Sequence, residues 1–87
     1  MGLQLVKDNE SGQTYQGDDF KVLYRNKGSV SGDNNANVNE RIYLMTGEVS
    51  LTVKEDTKII VAPAEFNIPE STYHKIEAIT DFVAVVF

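Results

Sequence analysis

Apolar and polar residues alternate along almost the whole chain, and this period of two is the feature that most restricts its fold. Residues 49–54 alternate without a slip, and in residues 20–25 the apolar Phe20, Val22 and Tyr24 share one face. A period of two is typical of half-buried strands, and Gly, Asn, Asp and Pro separate the segments as they do in turns. The sequence therefore predicts an all-β chain and indicates no helix.

The segments between and after these strands refine the prediction. The polar run at residues 54–58 predicts a hairpin turn, with residues 59–61 returning as the partner strand. Residues 82–87 are apolar on both faces, which is typical of a strand covered on both sides or sealed at an interface. Residues 26–37 are dense in Gly, Ser and Asn, and we expect a long loop there. The strands must bury or close their edges, which leaves a sandwich, an open barrel or a jelly roll.

Size and composition exclude several classes of protein. The chain has 87 residues, enough for one domain over residues 1–87, and no apolar run approaches the roughly 18 residues of a membrane-spanning helix. The absence of cysteine excludes disulfides, thiolate zinc sites and iron–sulfur clusters. A net charge of −5 without a basic stripe predicts binding to neither nucleic acid nor membrane. The N-terminus has no secretory pattern, and we expect a cytoplasmic protein.

Two segments on either side of the predicted hairpin resemble the second halves of the two sequence motifs of the cupin family. Glu40 and Gly47 are separated by the six residues that the first motif requires. Pro69 and His74 keep the spacing of the second motif. The resemblance implies a small double-stranded β-helix, which is a jelly-roll barrel of two sheets with a cavity at one mouth. It also implies a homodimer.

Most metal ligands of the cupin motifs are missing from this chain. The two histidine positions of the first motif fall on Asn34 and Ala36, or on Asp33 and Asn35 with the longer spacer. A catalytic zinc site needs three protein ligands, and the usual non-haem iron site needs two histidines and a carboxylate. His74 is the one histidine of the sequence. We therefore expect no bound metal and no other cofactor.

The alternation also places two polar side chains on inward faces. His74 shares its strand face with Ile76 and Ala78, and Glu40 shares a face with Ile42. Burying a carboxylate without a partner costs several kcal/mol, so the acid and the imidazole are expected to satisfy each other if both line one cavity. The structural alternative is a core histidine that hydrogen-bonds to a backbone carbonyl or to Glu40.

Four residues are the candidates for contact with a small-molecule ligand, namely Glu40, His74, Asn35 and Tyr43. The alternative for the four tyrosines of the chain is that they fill the barrel or an interface.

Three functions remain open from the sequence. The one we favour is a metal-independent module that binds a sugar or another polar metabolite at the barrel mouth. The second is an enzyme, either a degenerate metal-dependent cupin or an isomerase or epimerase with His74 as base and Glu40 or a tyrosine as its partner. The third is a scaffold that binds another protein, since one fold supports many unrelated activities.

Overall fold

The computed structural model describes residues 2–35 and 38–87, and every regular element in those ranges is a β-strand. The predicted all-β class is therefore confirmed. The described residues include no helix that is long and apolar enough to cross a membrane. The ten strands are β1 (Gln4–Asn9), β2 (Gly12–Gln16), β3 (Lys21–Arg25), β4 (Val30–Asn35), β5 (Glu40–Thr46), β6 (Glu48–Val53), β7 (Asp56–Val61), β8 (Ala64–Ile68), β9 (Tyr73–Ala78) and β10 (Phe82–Val86).

The strands form two antiparallel sheets that face each other. One sheet has the order β1-β2-β3-β10-β5-β8, and the other has the order β4-β9-β6-β7. Strands β3 to β10 follow the order of a jelly roll, in which each successive strand crosses to the other sheet except at the β6–β7 hairpin, and the β1–β2 hairpin extends the larger sheet at one edge. The double-stranded β-helix that the motifs imply is confirmed.

The core lies between the inner faces of the two sheets. Strand β6 shows why the alternation works, because Val49 and Leu51 are buried while the residues between them are only half-buried. Strand β10 lies between β3 and β5, so the last apolar segment is tied into the larger sheet. The buried apolar residues form one cluster of Ile42, Leu44, Val49, Leu51, Phe66, Ile68, Ile76, Ala78, Phe82 and Ala84.

The prediction of a loop at residues 26–37 is wrong for half of these residues. Residues 30–35 form strand β4, which pairs with β9 at the edge of the smaller sheet, while Ala36 and Asn37 lie outside the described residues. Ladder hydrogen bonds are made by the backbone, so an edge strand needs no apolar side chains on its solvent side. For this reason, a prediction from composition alone assigned the edge strand β4 to a loop.

The turns at the strand ends agree better with the sequence. The β6–β7 hairpin closes through Lys54 and Glu55 alone, because Val53 already pairs with Asp56, so the predicted turn is present but shorter. Gly47 has a φ of 94° in the turn between β5 and β6, a conformation that glycine adopts freely. Pro69 follows β8 directly, at a position where no backbone N–H is needed for a ladder hydrogen bond.

None of the tyrosines fills the barrel, so that part of the alternative is wrong, while their place in an interface stays a prediction. Tyr24 and Tyr43 are exposed, and Tyr15 and Tyr73 are half-buried. Their strand positions are those of the outer faces, since each alternates with an inward-facing neighbour. Tyr15 and Tyr24 contact each other edge to face on the outside of the larger sheet, with ring centroids 5.7 Å apart.

Candidate functional site

His74 faces the interior, as the alternation predicts. It lies at the start of β9, where it is paired with Val53 on one side and Asn34 on the other, and it is only 7% exposed. Its Nδ1 is buried and has no hydrogen-bond partner among the described residues. A buried polar atom without a partner is unusual in a native structure and calls for a physical explanation.

Gly32 explains how the imidazole fits beside the edge strand. A Cβ at this position would lie 2.7 Å from both Cδ2 and Nε2 of His74, so a larger residue would have to push the ring away. Gly32 also has a φ of 85° and lies at an irregularity in the β4–β9 ladder. The edge strand therefore closes over the Cδ2–Nε2 side of the ring.

Glu40 is half-buried at the start of β5, opposite Ile68 of β8. It lines a shallow depression of about 380 Å³ together with Pro69 and Phe87. No hydrogen bond joins Glu40 to His74 in the described parts of the chain, so the mutual contact expected from the sequence does not form. The two residues belong to different sheets, and the open depression that Glu40 lines allows water to solvate its carboxylate.

The other two candidate residues lie on outer faces. Asn35 is paired with Tyr73, whose side chain points to the opposite side of the sheet from His74. Tyr43 lies on the outer face of the larger sheet and is 41% exposed. The structure thus does not bring Asn35 or Tyr43 together with His74, and their contact with a ligand stays a prediction.

A hydrogen bond between Tyr73 and Asp33 ties the edge strand β4 to β9 on the outside of the barrel. The phenol oxygen donates to Oδ1 of Asp33 over 2.5 Å, and this bond raises the pKa of Tyr73 above its ordinary value. Asp33 itself has a φ of 63° at the irregularity in the ladder. This pair positions β4 but does not point towards the interior.

The cupin fold implies a metal site, and the donors that this chain offers do not fit one. The register places Asn34 opposite His74, so an amide stands where the first motif has a histidine, and Ala36 lies outside the described residues. Within residues 2–35 and 38–87, no three His, Cys, Asp or Glu side chains are grouped so that they could hold a metal ion. Amide oxygens are poor ligands for the transition metals that imidazole and thiolate favour.

A larger concavity opens between the β6–β7 hairpin and β8, and we call it the hairpin cavity. Its volume is about 610 Å³, within the range typical of small-molecule sites. Its apolar part is formed by Leu51, Val53, Phe66 and Pro69, and its polar part by Asp56, Lys58, Glu65 and Asn67.

The register explains the polarity of the hairpin cavity. Asp56 and Lys58 are paired with Val53 and Leu51, so they share the inner face of the smaller sheet. Glu65 already has a partner, because its carboxylate forms an ion pair with Nε of Arg41 at 3.0 Å. Asp56 and Lys58 therefore present one charge of each sign beside an apolar floor.

Sequence reasoning missed Asp56 and Lys58 because it assigned both to the hairpin turn. A two-residue turn would have shown them as strand residues that oppose Val53 and Leu51. The length of the polar run was the one available signal. Five polar residues can form either a long turn or a two-residue turn followed by a strand that begins with polar residues. Propensity does not separate these two cases.

Comparisons with known proteins support the architecture. No family model matches the chain, and no curated protein matches its sequence. Among solved structures, an RmlC-like cupin from Shewanella frigidimarina superposes with a TM-score of 0.81 at 15% identity, over 97% of this chain and 80% of that one. The cupin domain of Drosophila melanogaster CENP-C gives a TM-score of 0.77 at 12% identity, over 98% and 74%.

The capsular polysaccharide assembling protein CapF from Staphylococcus aureus is a third similar structure. It gives a TM-score of 0.77 at 16% identity over 99% of this chain, which spans 28% of CapF. The fold is thus that of a small cupin, and the expectation from the motif remnants is confirmed at that level. At these identities the likeness concerns the fold, which hosts many unrelated functions.

Proposed function

We propose that this chain is a metal-independent binding module for a polar small molecule, such as a sugar, and that the ligand occupies the hairpin cavity. The observation that carries the proposal is the composition of this cavity. Leu51, Val53 and Phe66 supply an apolar floor, while Asp56 and Lys58 supply charged donors and acceptors at its side. A mostly apolar concavity with a few convergent polar groups is the usual form of a small-molecule site.

The unpartnered nitrogen of His74 is a second reason to place the ligand in this region of the barrel. Val53, which lines the hairpin cavity, is the cross-strand neighbour of His74 on the inner face. A ligand that enters past Val53 would give the buried Nδ1 its missing hydrogen bond. Leaving such an atom unpaired costs about 1–3 kcal/mol, and a bound ligand would recover part of that free energy.

Metal independence follows in this proposal from the donors available to the chain. One histidine and no cysteine leave carboxylates and amides as the remaining ligands. A sugar can bind without a metal, because its hydroxyls form hydrogen bonds directly with charged and amide side chains. The resident chemistry of the hairpin cavity is therefore hydrogen bonding.

The double variant Asp56→Asn with Lys58→Gln tests the proposed site. We expect a screen of sugars and polar metabolites by thermal shift to yield a ligand of the native chain, and this variant to bind it at least about tenfold more weakly. Each hydrogen bond to a charged group contributes about 1.5–3 kcal/mol, and about 1.4 kcal/mol corresponds to a factor of ten. Isothermal titration calorimetry measures the change.

The matched control is Glu55→Gln with Lys54→Gln, which removes the same two charges at the adjacent turn outside the hairpin cavity. We expect the control to bind as the native chain does. Equal loss in both variants, or a screen without a saturable ligand, would count against the proposal. A ligand that requires added divalent metal would contradict its metal independence.

We also propose that two copies associate through the outer face of the larger sheet. A row of apolar side chains crosses five strands there in direct register, and four strand spacings make it about 19 Å long. The Arg41–Glu65 ion pair lies beside this row, and the guanidinium also stacks over the ring of Phe87 at 5.0 Å. Because this charge is neutralised within each chain, two such faces can meet without like charges opposing each other. The row consists of Leu5, Tyr15, Val22, Val85 and Tyr43.

Sedimentation velocity over a dilution series tests the dimer. We expect Tyr43→Glu to weaken association by at least about tenfold, because it places a charge within the apolar row that the two copies would bury. The control is Ile59→Glu, which adds the same charge at a residue that is 58% exposed on the outside of the smaller sheet. A native chain that sediments as a monomer throughout, or a control that dissociates as Tyr43→Glu does, would overturn the proposed interface.

A further inference from the structure

A second concavity lies on the inner side of the β1–β2–β3 extension, away from the hairpin cavity. Its volume is about 430 Å³, and we call it the basic concavity. No acidic side chain lines it, although the sequence has thirteen acidic residues against eight basic ones. Three of the eight basic residues line it. Its lining is Val6, Lys7, Thr14, Gln16, Lys21, Leu23 and Arg25.

The strand register shows that this grouping is built into the sheet. Lys7 is paired with Thr14, and Lys21 is paired with Gln16, so both lysines share a face with the residues of β2. Arg25 lies two residues beyond Leu23 on the same face of β3. The three cations therefore flank Thr14 of β2 from the two neighbouring strands, Lys7 on β1 and Lys21 and Arg25 on β3.

Arg25 is held in place without a counter-charge. Its Nη1 donates to the carbonyl oxygens of Gln13 and Tyr24 at 2.8 and 3.0 Å, and its Nη2 donates to Oγ1 of Thr14 at 2.8 Å. The single ion pair found in residues 2–35 and 38–87 is Arg41–Glu65, so Arg25 has neutral acceptors only. Nε donates to no acceptor in those same ranges.

Burial makes the position of Arg25 electrostatically costly, whereas Lys7 and Lys21 are exposed. Thr14 is 6% exposed, and partial burial of the guanidinium lowers the pKa of Arg25. Two lysines on the same face add like-charge repulsion that no carboxylate of the lining relieves. An anion between the three cations would relieve both the desolvation and the repulsion.

We propose that the basic concavity binds the phosphate group of a small molecule or free phosphate. Arg25 would donate through Nε, and Lys7 and Lys21 would close on the phosphate oxygens from either side. Phosphate fits because it accepts several charge-assisted hydrogen bonds at once and carries more than one negative charge. This site is separate from the hairpin cavity, and either can exist without the other.

Nuclear magnetic resonance of the isotope-labelled native chain tests this inference. Inorganic phosphate and glycerol 3-phosphate are titrated separately, each against sodium chloride at equal ionic strength. We expect saturable shifts of the Arg25 Nε–H signal and of the Thr14 amide with at least one of the two phosphates. Saturation with glycerol 3-phosphate alone would identify a metabolite as the source, and saturation with inorganic phosphate alone would identify the free ion.

The double variant Lys7→Gln with Lys21→Gln locates the site without touching the hydrogen bonds of Arg25. We expect its dissociation constant for the bound phosphate to rise at least about tenfold. The control Lys27→Gln with Lys75→Gln makes the same change in net charge away from the basic concavity. Its dissociation constant should change less than about threefold, because neither Lys27 nor Lys75 lines the basic concavity.

Three results would overturn the inference. One is a response to chloride equal to that to both phosphates at matched ionic strength. Another is equal weakening in the two lysine double variants, which would show a general charge effect. The third is shifts confined to residues outside β1, β2 and β3.

If the Lys7 and Lys21 double variant does not fold, Lys21→Gln alone gives the same comparison against Lys27→Gln. The Asp56→Asn and Lys58→Gln variant should keep full phosphate binding, which separates this site from the hairpin cavity.

Discussion

Replacement of Gly47 by alanine is expected to destabilise the fold by about 2–5 kcal/mol. Gly47 has a φ of 94°, which an L-residue adopts only with strain. A Cβ at this position would also lie 2.3 Å from the carbonyl oxygen of Asp81 and 2.8 Å from Cβ of Phe82. Phe82 belongs to the core, so the backbone around it cannot move away without disturbing the packing.

Gly28 provides the matched control for this substitution. It has a similar φ of 87°, but a Cβ there would meet no atom within 4 Å. Gly28→Ala should therefore cost only the backbone strain, about 1–2 kcal/mol. Denaturant unfolding at a fixed protein concentration measures both values. Equal losses in the two variants would show that the contact between Gly47 and the Asp81–Phe82 backbone is not tight.

Replacement of His74 by leucine is expected to raise the free energy of unfolding by about 1–2 kcal/mol. The buried Nδ1 of His74 has no hydrogen-bond partner in the part of the chain that the structure describes, so the native residue carries a desolvation cost. Leucine has a similar volume and buries no polar atom, which removes this cost. The same variant should lose affinity for the ligand of the hairpin cavity, because the imidazole is no longer available to it.

Thr72→Val is the control for a buried polar group that is satisfied. Thr72 is buried, and its hydroxyl donates to the carbonyl oxygen of Glu70 at 3.0 Å. Removing this bond should lower the free energy of unfolding by about 0.5–1.5 kcal/mol, opposite in sign to the His74 variant. If His74→Leu is destabilising like Thr72→Val, the imidazole has a structural partner and is not held for a ligand.

The fold could be predicted largely from local pattern. Residues 49–54 alternate without interruption, and they lie in β6 and its turn as expected. The spacings of Glu40, Gly47, Pro69 and His74 were sufficient to indicate a cupin-like barrel. Strand β4 was missed, because its pairing depends on the backbone of β9 and leaves no mark on its own composition.

The candidate site was predicted only in part. The inward direction of His74 follows from a strand period of two, and so does that of Glu40. Whether the two side chains meet depends on how the sheets are offset, which no local pattern contains. The hairpin cavity was missed for a similar reason, since Asp56 and Lys58 face inward only because a two-residue turn sets their register with β6.

The sequence by itself determined the all-β class, the inward faces of His74 and Glu40 and the loss of the metal-ligating histidines, because each depends on residue type and short spacing. Tertiary structure alone decided that Nδ1 of His74 is left unpartnered and that Lys7, Lys21 and Arg25 line one concavity. These features arise from pairings between segments distant in the chain. Their geometry is fixed by sheet register and by the packing of one sheet on the other, which act only once the barrel has closed.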